Sequence, residues 1–139
     1  MTRESQTKRV NISAAKVFWN RAQQCAIVMN EAIDRGHWEA AGVNAVHCAI
    51  SANDAVLVAL RGLKPSSPDH KDAVRVLLSQ LKEEDAQKAA KRLGLIVSKK
   101  SRVEYDEKTF TEKEAREIVL DAQRFLEWAK SRLPKKLQD

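Results

Sequence analysis

Glycine, proline and aromatic side chains are all scarce in this chain of 139 residues, which has four glycines, three prolines and 5% aromatics. So little turn material works against many short connected elements and favours a few long helices. With few aromatic rings, the core must be built from Ala, Val, Leu and Ile, and Ala-rich faces let helices approach closely. Cysteine is limited to Cys25 and Cys48. Both fall at helix positions expected to be buried, with no CxxC and no nearby His pair. That pattern points to reduced structural thiols in a cytoplasmic protein and away from a zinc site, so no metal or other cofactor is expected. No apolar run reaches the ~18 residues of a membrane span without a charged or strongly polar interruption, and no membrane partner is expected. The start, Met1 to Arg9, is polar and leads into no signal-peptide block. A Gly-rich phosphate loop, HExxH and a nucleophile elbow are all missing.

What is present is a soluble, globular composition: 43% hydrophobic, 32% charged, with a formal charge of +6 and a pI near 9.5. The length fits a single core. A basic balance allows an anionic partner, although the cations form no single block. They gather loosely at the N-terminus, at Lys99-Lys100-Ser101-Arg102 and from Lys130 to Lys136. The expected organisation is a flexible segment over 1–12, a helical bundle over 13–133 and a tail over 134–139.

Five helices follow from periodicity and punctuation. The first runs from about Ser13 to Arg35 with Asn11 or Ser13 as cap, and Gly36 ends it. The second runs from about Trp38 to Leu60, stops at Gly62, and should form an antiparallel hairpin with the first. Ser67 as N-cap and Pro68 at the first helical position open the third, whose buried face is Ala73, Val74, Leu77, Leu78 and Leu81. The fourth spans about Glu84 to Val97 and buries Ala86, Ala89, Ala90, Leu93 and Val97, with Gly94 weakening it locally. Ser98 to Phe110 reads as a loop. Thr111-Glu112-Lys113-Glu114 is a capping box for the last helix, which Pro134 stops before a frayed tail. Nothing reads as strand. The expected fold is all-α, an up-and-down bundle of four to five helices.

The second helix carries the most information. It is nearly all apolar, yet His47, Ser51, Asp54 and Arg61 fall on one stripe at i, i+4, i+7 and i+14, with Val58 among them. Two readings fit: hydrogen bonds between helices or a thin line to water, and a polar cleft in which Asp54 orients His47 or Arg61. In the second reading Arg61, the N–H groups near Ser67 and Lys64 hold a phosphate. His70, in the first turn of the third helix, suits a neutral imidazole for hydrogen bonding or general-base work, or it is a local partner of Asp69. Tyr105, beside Lys100 and Arg102, could stack on a base or simply cover the core. Trp19, Trp38 and Trp128 would either add exposed contact area or fill the bundle ends. Glu83-Glu84-Asp85 reads as a helix N-terminus with favourable charge.

The chain resembles the HEPN domain superfamily from about Ala15 to Leu133. The resemblance rests on the first hairpin with its Ala-rich helix Asn44 to Leu60, on Gly62 followed by Ser66-Ser67-Pro68-Asp69-His70, and on Ala73 to Leu81. It also rests on Arg102-Val103-Glu104-Tyr105 and the closing Ala122-x-x-Phe125. It implies a helical bundle that dimerises, binds nucleotide or RNA, and in many members accompanies a nucleotidyltransferase in a toxin–antitoxin pair. One group in the superfamily comprises metal-independent ribonucleases with an Arg-x(4–6)-His motif, usually Arg-Asn-x-x-x-His. Here Arg61 and His70 lie too far apart to match, with Gly62, Pro65 and Pro68 between them, so they are only weak catalytic candidates. The expected binding surface is a cleft lined by His47, Asp54, Arg61, Lys64, Asp69 and His70, with Arg102 and Tyr105 near its rim. The expected partners are a second copy, a nucleotide or RNA, and a nucleotidyltransferase. A ribonuclease of degenerate motif and a pure interaction subunit are the alternatives.

Overall fold

The computed structural model describes residues 7–67 and 69–138. Helix α1 (Ala15–Asp34) and helix α2 (Trp38–Arg61) form the expected antiparallel hairpin, and Gly36 turns the corner at φ +71°. That left-handed conformation is one that a side-chain-bearing residue adopts only with strain. Asn11 does act as a cap, accepting from Ser13 N–H at 2.9 Å, but the turn it caps is a short 3-10 segment (Ile12–Ala14) that leads into α1. Gly62 ends α2 in the same left-handed region (φ +66°), and its N–H bonds back to Val58 O.

Two strands occur that the sequence did not announce. β1 (Thr7–Arg9) lies within the expected lead-in segment and pairs antiparallel with β2 (Leu63–Pro65), with Lys8 opposite Lys64. Val10 N–H to Gly62 O, 2.9 Å, extends the ribbon by one bond. It ties the start of the described chain to the turn after α2.

Helix α3 (His70–Gln80) begins later than Ser67 and Pro68 imply. Its cap is Asp69, whose Oδ1 accepts from Lys71 N–H at 2.9 Å, while Ser67 Oγ accepts from Asp69 N–H at 3.0 Å. Ser67 thus shapes the approach and Asp69 closes the helix end. The expectation for Pro68 lies outside the described residues. The buried face of α3 also shifts. Val76 is inside, whereas Leu78 is exposed and Val74 half-buried. Ala73, Val76, Leu77 and Leu81 form the real stripe; an apolar Leu–Leu pair in sequence cannot say which of the two faces inward.

Leu81 is extended (φ −123°, ψ 115°) and separates α3 from α4 (Glu84–Val97), which buries the expected residues plus Ile96. The predicted loop after it contains a short helix, α5 (Lys100–Tyr105). Its Val103 and the following Phe110 pack on Gly42 of α2. Thr111 and Glu114 make both halves of the capping box that opens α6 (Glu112–Arg132). After Pro134 the tail forms a 3-10 turn (Lys135–Leu137), and the Gln138 amide donates to Lys130 O and Leu133 O. The architecture is an all-α bundle with one small ribbon at its edge.

Helix α2 is the axis, touched by all the other helices. It is long and apolar enough to cross a membrane by length and composition, but its place inside the bundle accounts for that apolarity. Trp19 is buried against this core at 1% exposure, which corrects the exposed contact role considered for it; Trp38 and Trp128 are half-buried. The acids at the start of α4 do more than complement a helix end. Asp85 accepts from Trp128 Nε1 at 2.9 Å and Glu83 pairs with Arg132 at 3.0 Å, fastening α4 to α6.

Two mid-helix glycines make opposite tests of this packing. A Cβ on Gly42 would lie 2.8 Å from Phe110 Cε2 and 3.0 Å from Val103 Cγ2, whereas one on Gly94 would meet only Val74 Cγ2, at 3.9 Å. Overpacking costs roughly 1–3 kcal/mol, against about 1 kcal/mol gained on replacing a helical glycine by alanine. Gly42→Ala should therefore lower the unfolding free energy by about 1 kcal/mol or more in urea titrations. Gly94→Ala should raise it by about 1 kcal/mol.

Candidate functional site

The polar stripe of α2 is divided by what covers it. Ser51 and Asp54 are buried, and Asn53, on the next face, is fully so. Among the described residues, neither the Asn53 amide nor the Trp19 indole N–H has a hydrogen-bond partner. His47 is half-exposed, with Nε2 3.8 Å from Glu104 Oε1 on α5. Arg61 is exposed at the end of α2, donates to Leu60 O at 3.0 Å, and edges a shallow hollow beside Arg9 to Ile12.

Asp54 faces the β2 end of the bundle. Lys64 Nζ lies 3.8 Å from its Oδ2, and Lys64 and Arg21 both rest over the Phe18 ring, at 5.7 and 5.4 Å. Lys64 also donates to Pro65 O. Burial pushes the Asp54 carboxyl up to about 6, and the nearby charges of Lys64 and Arg21 oppose that shift without cancelling it. The contact secures β2 to α2.

Arg102 is committed to the loop that follows it. Its guanidinium donates to Lys108 O and Thr109 O, both at 2.8 Å, and to Glu114 Oε1 at 2.9 Å, while lying over the Phe110 ring. The Thr111 N–H bond, ahead of Arg102 itself, holds the Glu114 carboxyl below the usual range. Tyr105 is 72% exposed, with the Lys100 ammonium 5.5 Å from its ring centre. His70 opens α3, and its side chain lies outside what is described.

The eight residues expected to line one cleft therefore fall into separate neighbourhoods. Asp54 and Lys64 meet at β2, His47 stands by α5, Arg61 is at the end of α2, and Arg102 is in the α5–α6 loop. Of the set's described side chains, Asp69 lines a cleft of about 620 Å³ between α3, α4 and the start of α5. Three cations edge it: Lys71, Arg75 and Lys100. Val74, Gly94 and Val97 form its apolar wall, and Ser98 and Ser101 supply hydroxyls. Arg75 is held by Asp72 at 2.8 Å and Lys100 by Glu104 at 3.1 Å. The Glu104 bond raises the Lys100 ammonium's pKa, so that cation stays charged. Glu104 also links this cleft to His47, and Lys100 links it to Tyr105. The volume falls in the range of small-molecule sites. Sequence reasoning missed Lys71 and Arg75. Their i, i+4 spacing on α3 was readable, but not what they face.

Among known families, a model of the HEPN domain matches residues 15–133. No curated protein matches the chain.

The Asp54 pair makes a pH test with a definite sign. Its folded carboxyl titrates near 6 against an ordinary 3.8, so the folded state binds the extra proton between those values. The Asp54 contribution to stability is therefore full below about 4 and lost as pH rises through about 6, by on the order of 3 kcal/mol. Unfolding free energies measured across that window should fall more steeply with pH in the wild type than in Asp54→Asn. Parallel curves would refute the buried-carboxyl account.

Proposed function

The chain belongs to the HEPN domain family, and on that premise we propose that it is a binding module that holds the phosphate of a nucleotide or RNA in the α3–α4–α5 cleft. One observation carries this reading: Lys71, Arg75 and Lys100 converge from two helices onto a single hollow that also offers two serine hydroxyls. An arginine and two lysines around a concave site suit a phosphate better than a flat surface does, and the fork of Arg75 keeps donors beyond the one taken by Asp72. Tyr105, exposed beside Lys100, stands where a base leaving the cleft could stack.

The same reading has the chain acting in the cytoplasm as a homodimer, with a nucleotidyltransferase as the partner protein that the family resemblance brings with it in a toxin–antitoxin setting. Exposed apolar side chains leave area that a partner could cover: Val17, Ile27 and Val28 on α1 and Leu120 on α6. Nothing at Arg61, bonded to the carbonyl of its neighbour Leu60, favours the ribonuclease alternative. Binding is the conclusion.

Charge reversal tests it. Lys71→Glu or Lys100→Glu should weaken binding of ATP or a short single-stranded RNA about tenfold each, roughly 1.4 kcal/mol, in fluorescence titrations at low salt. Arg61→Glu should change it little. Added salt should weaken the wild-type complex, because the contacts are to phosphate. If neither ligand binds, the pure interaction subunit is the reading that survives.

A further inference from the structure

The two-stranded ribbon is anchored on one side and open on the other. β2 touches α2 and α3, whereas β1 is exposed along its whole length and pairs with β2. One bond fixes where the backbone groups of β1 point. Val10 N–H reaches Gly62 O at 2.9 Å, so in this antiparallel register Val10 and Lys8 turn their backbone groups towards β2. Thr7 and Arg9 then turn theirs outward, and among the described residues no strand lies beyond them. Their N–H and C=O groups form an open edge, which is a template for a further strand.

The charge around this edge has one sign. Lys8 and Arg9 stand on β1, Lys64 stands on β2, and Arg61 joins Arg9 at the shallow hollow that also meets Val10 and Ile12. Lys8 lies directly opposite Lys64, an arrangement that destabilises a strand pair. Among the described residues Asp54 gives Lys64 an acid at 3.8 Å, and no ion pair forms at Lys8, Arg9 or Arg61. A lysine on an edge strand keeps apolar and basic strands away. It does not keep away an acidic one. Ile12, 58% exposed beside the hollow, offers an apolar contact at the same place.

We propose that the outer edge of β1 docks an acidic, extended segment of a partner protein, which joins the ribbon as a third strand. Its main chain bonds to Thr7 and Arg9, and its side chains alternate between the two faces of the ribbon. Acidic side chains on one face meet Lys8, and those on the other meet Arg9 and Arg61. Two observations favour a protein strand over RNA. The edge presents backbone donors and acceptors at strand spacing, which a peptide main chain matches and a nucleic acid does not. Single-stranded RNA is held by bases stacked on aromatic rings, and at this end of the bundle Phe18 already carries Arg21 and Lys64 over its ring, at 5.4 and 5.7 Å. The surface shares no lining residue with the α3–α4–α5 cleft, so it stands whether or not that cleft takes a phosphate.

The test is fluorescence anisotropy of the full chain with a labelled peptide of alternating glutamate and valine, at low salt. The peptide should bind, and a copy methylated at its backbone nitrogens should bind about tenfold less tightly, because a third strand needs those N–H groups. Lys8→Glu should weaken binding about tenfold and yet hold or raise the melting temperature, since it turns the like-charge pair with Lys64 into an opposite one. Those opposed signs separate lost docking from lost folding. Thr7→Pro removes an outward N–H without changing charge, and should weaken binding several-fold. AMP at constant ionic strength should not displace the peptide. Equal binding of the methylated copy overturns the proposal, as does displacement by AMP or indifference to both substitutions. A peptide that does not bind overturns it too. Lys8-dependent uptake of single-stranded RNA would then make the edge a nucleic-acid surface, and self-association lost in Lys8→Glu would make its occupant a second copy.

Discussion

From Ala41 to Val58, helix α2 has almost no face left for solvent, and the remaining helices are placed by the need to cover it. Small side chains make that possible. Ala45, Ala49, Ala52 and Ala55 let neighbours come close, and Gly42 admits the Phe110 ring to where a methyl group would already be too large. The cost is carried by the polar groups on the same helix. Each must be paired or tolerated, since an unsatisfied buried polar group costs roughly 1–3 kcal/mol. Asp54 meets Lys64, His47 reaches the surface beside Glu104, and Asn53 is tolerated without a protein partner among the described residues.

That constraint explains why the proposed binding cleft lies elsewhere. A stripe on the central helix is the first part of the molecule to be covered, so its polar residues mostly serve the fold. Asp54 secures the ribbon to the bundle, and Arg102 fastens the loop before α6. The cleft lies between α3, α4 and the start of α5. There Gly94 of α4 faces Val74 of α3, and cations from α3 and α5 converge. Both glycines that sit inside helices without positive φ are thereby given different roles, one admitting a neighbour and the other leaving a space.

The long elements were legible because each carries its own signals. The capping box at Thr111 and Glu114, the stop at Gly62 and the face from Ala86 to Leu93 are all local, and all occur as read. The family likewise was legible, from the order of these segments. The ribbon was not. Three polar residues at Thr7–Arg9 pair with three near Pro65, and nothing local in either stretch names the other. The six residues of α5 are too few for a period to show, and Leu78 could not be told from Val76 until the neighbours of α3 were known. The cleft depends on three such elements at once, so only Asp69 and the basic character of Lys99 to Arg102 pointed towards it.

The account turns on where a nucleoside phosphate lands. The direct measurement is a titration of the isotope-labelled protein with AMP, followed by the backbone amide resonances. The expected result is a set of shifts centred on Lys71, Val74, Arg75, Gly94 and Lys100, on three helices and around one groove. Shifts confined to Arg61, Lys64 and the end of α2, or none at saturating ligand, would contradict it.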